Sequence, residues 1–411
     1  MVSSRFDTSV PAVVFKLDPN VMHHGGLGVI RSLGRAGVPV YAVQEHLHAP
    51  AAHSRYLRRH WVWRPDPRDV GEVLRGLRRV AEHIGRVSVL FPTDDAGAIF
   101  LAEHGAALRE WFHFPEPRPD LPRTVAGKYS MHELCRTLDI PSADAAMVQN
   151  LLQAREFADR VGYPLVAKLA TPWRRSGGLR STTIVRGTDE LTELYRLGAG
   201  QGLMLQEYLP GGHGHDWFFH AYCDRDSRCP AAFVGLKERS YPAHAGLTSL
   251  GRWAENPVLL DQARQLLRRV GFRGIVDLDF RWDARDDQYK LLDFNPRLGA
   301  QFRLFEDTAG IDVALAAYLD LTGQQVPTGD AVPGRRFLVE NYDPLAAVRY
   351  WRDGELDPLA WARSMRTVGE TAWFARDDPA PFALMCLWMG ARAVGRPLRK
   401  LPLRAGKETR Q

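Results

Sequence analysis

Between Gly274 and Arg297 the chain reads GIVDLDFRWDARDDQYKLLDFNPR, two alternating runs joined by the polar turn DARDD. Successive side chains on a strand point to opposite faces. Val276, Leu278 and Phe280 therefore share one face, and Asp277 and Asp279 the other. On the second run Asp293 and Asn295 share a face, while Leu292 and Phe294 point into the core. Folded at the turn, the hairpin brings the acids and the amide together. Two carboxylates and an amide oxygen on rigid strands form a hard-oxygen site suited to Mg²⁺, which takes water or phosphate oxygens as its remaining ligands. The candidate ligands are Asp279, Asp293 and Asn295, with Asp277 an alternative to Asp279. The competing reading is a solvated acidic hairpin face. Against it, D-x-N-P-R directly after two leucines orders acid, amide and arginine as an exposed face would not need.

A second signal is compositional. The chain carries 54 basic residues, but its only lysines are Lys16, Lys128, Lys168, Lys237, Lys290, Lys400 and Lys407. Where arginine is the default, a lysine marks a place that needs a compact point charge rather than a planar fork. Lys168 ends the apolar run YPLVAK and precedes the loop TPWRRSGGLRST, an economical clamp for a triphosphate. A solvated lysine at a strand end is the alternative. The loop does not follow GxxxxGK[ST], which disfavours a P-loop. LMLQEYLPGG reads as a strand whose backbone could pair with an adenine edge, or as an ordinary amphipathic strand ending in a turn; Lys237 in VGLKER is weak alone.

Other chemistries find less support. Gly26-Leu27-Gly28-Val29-Ile30 continues to Arg31, so the dinucleotide fingerprint fails, although Glu45 ends a strand where a ribose-binding acid could sit. His23 and His24 read as loop residues, and His213 and His215 as part of a turn rather than a zinc site. No GxSxG elbow is present. Cys135, Cys223, Cys229 and Cys386 form no CxxC pair, which suits a reducing compartment without a disulfide framework.

The elements that must position these residues alternate. AVVF (12–15), VPVYAV (38–43) and VSVLFP (87–92) read as strands; 28–37, 68–85 and the stretch after Thr93 or Asp94 read as helices, the pattern of a parallel sheet covered on both faces. FPEPRPDLPRT (114–124) reads as a linker. Helices at 126–139 and 151–162, the strand YPLVAKLA and the strand TTIV follow, then strands at 203–209, 217–224 and 231–238. A helix at 257–271 leads into the hairpin, and the final 75 or so residues read as mainly helical.

At 411 residues, 45% hydrophobic and 25% charged, the chain has the composition of a folded, multi-domain globular protein rather than a disordered one. No apolar run approaches the roughly 18 residues of a membrane span, and the opening MVSSRFDTSVPAVVF lacks the features of a secretory signal, so a cytoplasmic location is the expectation. A net charge of +6 is small for this length; with no basic run interleaved with aromatics, no nucleic-acid partner is expected.

Together, and in this order, AGK at Lys128, YPLVAK at Lys168, QEYLPGG at Gln206 to Gly212 and LLDFNPRLG at Leu291 to Gly299 resemble the ATP-grasp superfamily. The resemblance covers about residues 12 to 330 and is greatest to carboxylate–amine ligases near D-aspartate ligase and the carbamoyl-phosphate-synthase-like group. It implies an α/β and α+β protein: a Rossmann-like pre-ATP-grasp domain (1–120), ATP-grasp lobe 1 (121–205), lobe 2 with the metal site (206–330) and a helical C-terminal extension (331–411). The implied cofactors are ATP and Mg²⁺, as two ions. Lys128 and Lys168 would contact the α- and β-phosphates, and the loop at Ser176, Gly177 and Gly178 would cover them. Gln206, Glu207 and Leu209 would line the adenine site, Asp216 would reach the ribose and Lys237 the γ-phosphate. Asp279, Asp293 and Asn295 would hold the metal, with Arg297 stabilising the phosphoryl group or acyl phosphate. Asp279 and Asp293 stand where the family often has glutamates, so the shorter arm demands a closer metal. The expected activity joins a small-molecule carboxylate to an amine, with Arg239, Arg297 and Arg303 as candidate carboxylate binders. The alternatives are a carboxyphosphate-forming enzyme of the biotin-carboxylase kind and a nucleotide-binding scaffold without turnover. A homodimer and a membrane-surface contact through the basic C-terminal tail are further expectations, the tail's competing reading being a core-packed helix with a solvated end.

Overall fold

A computed structural model of the chain describes residues 6–169, 182–197, 203–212, 214–244 and 246–393. The chain begins with β1 (Ala12–Phe15), α1 (His24–Arg35), β2 (Val40–Gln44), β3 (Leu57–Val62), α2 (Val70–Ile84), β4 (Ser88–Pro92), α3 (Asp95–His104) and β5 (Phe112–His113). These strands form a parallel five-stranded sheet in the order β3-β2-β1-β4-β5. β1 is buried throughout, as a short all-apolar strand must be when helices cover both faces. α1 starts at His24, four residues before the sequence reading, and His24 is a buried helical residue rather than a loop residue. β3 escaped the sequence reading: LRRHWV is an exposed edge strand in which arginines replace the apolar signature.

Next come α4 (Leu121–Ala126), within the expected linker, α5 (Lys128–Thr137), β6 (Ala145–Val148), α6 (Leu151–Val161), β7 (Leu165–Leu169), β8 (Thr182–Val185), α7 (Thr188–Leu197) and β9 (Leu203–Glu207). Here the sheet is antiparallel, in the order β6-β9-β7-β8. The third sheet begins with β10 (Asp216–Cys223), β11 (Ala231–Tyr241) and β12 (Leu247–Trp253). α8 (Pro257–Val270) then leads to the hairpin of β13 (Gly274–Asp283) and β14 (Gln288–Asn295). α9 (Val313–Leu321), β15 (Arg336–Leu338), α10 (Asp343–Arg352), α11 (Pro358–Met365), β16 (Val368–Thr371) and α12 (Ala380–Ala393) complete the described chain.

The C-terminal region is helical as expected, yet it also adds two strands to a seven-stranded sheet ordered β14-β13-β10-β11-β12-β15-β16. It is seated on the N-terminal domain as well. Arg31 on α1 meets Asp378 at 3.0 Å with both side chains buried, donates to Trp373 O at 2.6 Å, and Ser54 Oγ donates to the same Asp378 at 2.7 Å. One apolar cluster runs from β1 and α1 through Phe302, Phe305 and α9 to Trp373 and Met385. Gly28 makes this packing possible, because a Cβ there would lie 2.6 Å from the Phe302 ring. Among the described residues no helix is long and apolar enough to cross a membrane; the basic tail after residue 393 lies outside them.

Candidate functional site

The β13–β14 register opposes Asp277 to Asn295 and Asp279 to Asp293, so the four polar groups share one face while Leu278 and Phe294 lie beneath. Three lysines arrive from three other elements. Lys128, the first residue of α5, is ion-paired with Asp293. Lys237, on β11, reaches Asp279 at 3.3 Å. Lys168, on β7 and 8% exposed, donates to Leu292 O at 3.4 Å. Burial alone would raise the Asp293 carboxyl, but the charges of Lys128, Lys168 and Lys237 hold it down at about 2. Burial lowers Lys168, against the pull of Asp293. The result is a pair of carboxylates ringed by lysine side chains, in a partly dry setting where charge is worth most.

Arg297 follows the hairpin and lies on the Asp277 side of the cluster. Its guanidinium lies 3.0 Å from Asp277 and 3.3 Å from Asp95, the opening residue of α3 in the first sheet's domain. Asp277 is backed by His220, fully buried on β10, whose Nε2 stands 3.3 Å from Asp277 Oδ1. Burial first, and Arg297 second, hold His220 down at about 3, so this imidazole is neutral. Burial and the neighbouring Asp279 carboxylate push Asp277 up, to about 7, against Arg297. Gly299 leaves room for this packing, since a Cβ there would run into the His220 ring and approach Asp277 to 2.8 Å.

A second polar cluster sits at the carboxyl ends of the parallel strands, and sequence reasoning had not assembled it. Lys16 follows β1 and Glu45 follows β2; their charged atoms are 2.9 Å apart and both side chains are buried. Lys16 also donates to Asn20 O at 2.6 Å. Asp94, after β4, caps α3 through Gly97 N and accepts from Leu17 N and Asp18 N, tying the end of β1 to that of β4. The buried Nδ1 of His23 has no hydrogen-bond partner among the described residues. Burial lowers His23 well below its ordinary range, helped by Lys16, His24 and Arg297. With β1 flanked by β2 and β4, the switch point of the sheet lies here, where open α/β sheets bind ligands. One signal could have found most of the cluster: Lys16, Glu45 and Asp94 each lie within two residues of the end of an expected parallel strand.

The remaining predicted residues divide. Gln206 is buried on β9 between β6 and β7, so the backbone of this stretch is spent on its own ladders; a free edge begins only beyond Glu207. Glu207 meets Arg285 at 2.7 Å and accepts from Asp144 N, while the Leu209 carbonyl accepts from Arg281. Asp216 is held by Arg281 through contacts of 2.6 and 2.9 Å. Ser176, Gly177 and Gly178 lie outside the described residues. Arg239 is not available to a substrate carboxylate in this arrangement, being paired with the buried Asp343 at 2.8 Å. Arg303 is likewise paired, with Asp312 at 2.7 Å.

Among the described residues no group of three or more His, Cys, Asp or Glu is disposed to hold a metal. The hairpin instead offers two opposed carboxylates and the Asn295 amide, with Asp293 held ionised. That donor set fits Mg²⁺ if phosphate or water oxygens complete the shell.

No protein-family model matches the chain. Over 247 residues it is 22% identical to D-aspartate ligase of Enterococcus faecium (strain Aus0004), a match covering 57% of this chain and 59% of that protein. It is 29% identical over 195 residues to the carbamoyl phosphate synthase large chain of Deinococcus radiodurans, covering 44% of this chain and 18% of that one. The matches thus span less than two thirds of these relatives' own length. Among solved structures, N5-carboxyaminoimidazole ribonucleotide synthetase from Thermus thermophilus aligns with a TM-score of 0.59 at 14% identity, over 80% of this chain and 81% of that one. The biotin carboxylase domain of Hydrogenobacter thermophilus 2-oxoglutarate carboxylase, in complex with MgADP, ADP and bicarbonate, aligns with a TM-score of 0.57 at 14% identity, over 78% and 72%. The structural likeness shows a shared fold. With the sequence relatives beside it, this chain is similar to enzymes of the ATP-grasp superfamily.

Proposed function

We propose that this chain is an ATP- and Mg²⁺-dependent ligase that joins a carboxylate to an amine through an acyl phosphate. The observation that carries the reading is the convergence of Lys128, Lys168 and Lys237 on Asp293 and Asp279. Three scarce lysines from separate elements meet, as neutralising the charge of a nucleotide triphosphate would require.

A free carboxylate does not acylate an amine at neutral pH, because oxide is too poor a leaving group. Transfer of the γ-phosphoryl group to the carboxylate makes phosphate the leaving group, and the amine then attacks. Lys128 and Lys168 hold the α- and β-phosphates, and Lys237 the γ-phosphate. Asp279, Asp293 and Asn295 would hold Mg²⁺, which would supply positive charge to the phosphate oxygens. Arg297 faces the transferred group, and Asp277 and Asp95 fix its guanidinium. The protein's contribution is positioning and charge neutralisation.

The crevice of Lys16, His23, Glu45 and Asp95 adjoins Arg297 and is the proposed seat of an amino-acid substrate. Glu45 would take its ammonium group and Lys16 its carboxylate, the substrate exchanging for the Lys16–Glu45 ion pair. Incubation with ATP, Mg²⁺ and a panel of L- and D-amino acids tests the proposal, with ADP release and product masses as readouts. ADP release that requires a carboxylate and an amine, with a product lighter than their sum by one water, is expected. ATP hydrolysis indifferent to every pair contradicts it. The likeness to a carboxylase domain bound to bicarbonate favours one second reading, carboxyphosphate formation; ADP release that requires bicarbonate and no other carboxylate would select it.

A further inference from the structure

The sequence separates Cys223 and Cys229 by five residues and gives no reason to join them, yet the fold places their sulfur atoms 3.5 Å apart. Cys223 ends β10, and Cys229 lies just before β11 begins at Ala231. The turn between them is tightly tied. Asp224 N donates to Arg228 O at 2.9 Å, Ser227 N to Asp224 O at 3.0 Å, and the Asp224 side chain accepts from Asp226 N and Arg228 N at 2.8 Å each. The β10–β11 ladder ends at Tyr222 paired with Ala231, and the closure of Asp224 against Arg228 beyond it brings Cys229 alongside Cys223. Directly opposed residues of antiparallel strands have Cα atoms about 4.5–5.5 Å apart, inside the span of roughly 4.4–6.8 Å that a disulfide bridges.

The two thiols are also unlike. Cys223 is 1% exposed and Cys229 partly exposed. The hydrogen bond from the Cys223 thiol, and then Arg264 and Arg268 on α8, hold Cys229 below the ordinary thiol range. The same contact and burial push Cys223 up. A partly exposed cysteine beside a buried partner is the division between an attacking and a resolving cysteine.

We infer that Cys223 and Cys229 form a redox-active dithiol that closes to a disulfide by exchange with a low-molecular-weight disulfide. The Cys229 thiolate attacks one sulfur of RSSR; the S–S bond breaks and RS⁻ leaves with the electron pair. Cys223 gives its proton to solvent, and its thiolate attacks the Cys229 sulfur of the mixed disulfide, expelling a second RS⁻. The two protons released from the protein thiols convert both RS⁻ to RSH. Two protein thiols are oxidised and one RSSR is reduced. The inference is independent of the ligase reading, because the pair sits at the end of β10 opposite Asp216.

The test uses the full chain and oxidised glutathione, followed by acid quenching, alkylation in denaturant, and mass spectrometry before and after trypsin. Arg225 and Arg228 lie between the cysteines, so trypsin separates the two peptides unless a disulfide joins them. The expected result is loss of two hydrogens from the intact chain and a linked pair of peptides that dithiothreitol releases. Cys223→Ser should trap a stable glutathione adduct on Cys229, and Cys229→Ser should leave Cys223 free to alkylate. Complete alkylation of both residues in the wild type, once the exposed Cys386 carries glutathione, would overturn the inference. So would adduct formation on Cys223 in Cys229→Ser as fast as on Cys229 in Cys223→Ser.

Discussion

The β13–β14 hairpin and the polar cluster at the ends of the parallel strands are both largely buried clusters of charge, but the chain builds them in opposite ways. In the hairpin, register alone brings Asp277, Asp279, Asp293 and Asn295 onto one face within 19 residues of sequence. In the crevice, Lys16, His23, Glu45 and Asp95 come from three separate strand ends and meet only once the sheet is assembled. On the proposed function, nucleotide handling would be carried by a local motif and substrate selection by dispersed loop residues, which are free to vary on a rigid scaffold. Arg297 spans the two, touching Asp277 on one side and Asp95 on the other.

This contrast breaks if substitutions in the two clusters have the same kinetic signature. The largest effect is expected from Asp293→Asn or Lys168→Ala: kcat should fall by about 10²- to 10³-fold, the scale for removing one preorganised charge from a water-poor site, with circular dichroism unchanged. Glu45→Gln should act instead on the amine substrate. Losing a hydrogen bond to a charged group is worth about 1.5–3 kcal/mol, roughly 10- to 150-fold in KM for that substrate, while KM for ATP stays within about twofold of wild type. Equal losses in both KM values would merge the two clusters into one site.

Acid should sharpen the contrast from the stability side. His24 opens α1 below the crevice, and burial lowers it to about 4. Its folded value lies below its unfolded one, so its neutral form contributes stability that is full above pH 6.5 and is lost as pH falls toward 4. Between pH 7 and pH 5 that loss is about 2 kcal/mol, to be read as a drop in Tm that His24→Phe reduces. The smallest effect is expected from Arg297→Lys, which keeps the charge but cannot reach Asp277 and Asp95 as a fork. A loss of roughly tenfold in kcat/KM, without a change in KM for ATP, would mark Arg297 as the link between the clusters.

What the sequence reveals follows from the same contrast. Strand alternation exposes the hairpin because period-two patterning places side chains on a face without any knowledge of tertiary structure. The superfamily resemblance adds the lysines, which no local pattern could bring to Asp293. The order of the main strands and helices was also legible. The polar edge strand β3 was not, and neither were β12, LTSLGRW, or the C-terminal strands β15 and β16, which take their place by pairing with a sheet rather than by apolar periodicity. Arg239 and Arg303 mark another limit. An arginine near the site in sequence looks like a substrate ligand until its buried carboxylate partner is seen. The approach of Cys223 to Cys229 likewise depends on a turn closed by Asp224, which spacing alone does not give.

The central claim is that the carboxylate substrate is itself phosphorylated. The most direct measurement is turnover with amino acids labelled with ¹⁸O in their carboxyl groups, followed by mass analysis of the released phosphate. One ¹⁸O atom per phosphate is the predicted result, because the oxygen that accepts the phosphoryl group leaves with it when the amine attacks. Unlabelled phosphate released alongside ADP would contradict the account.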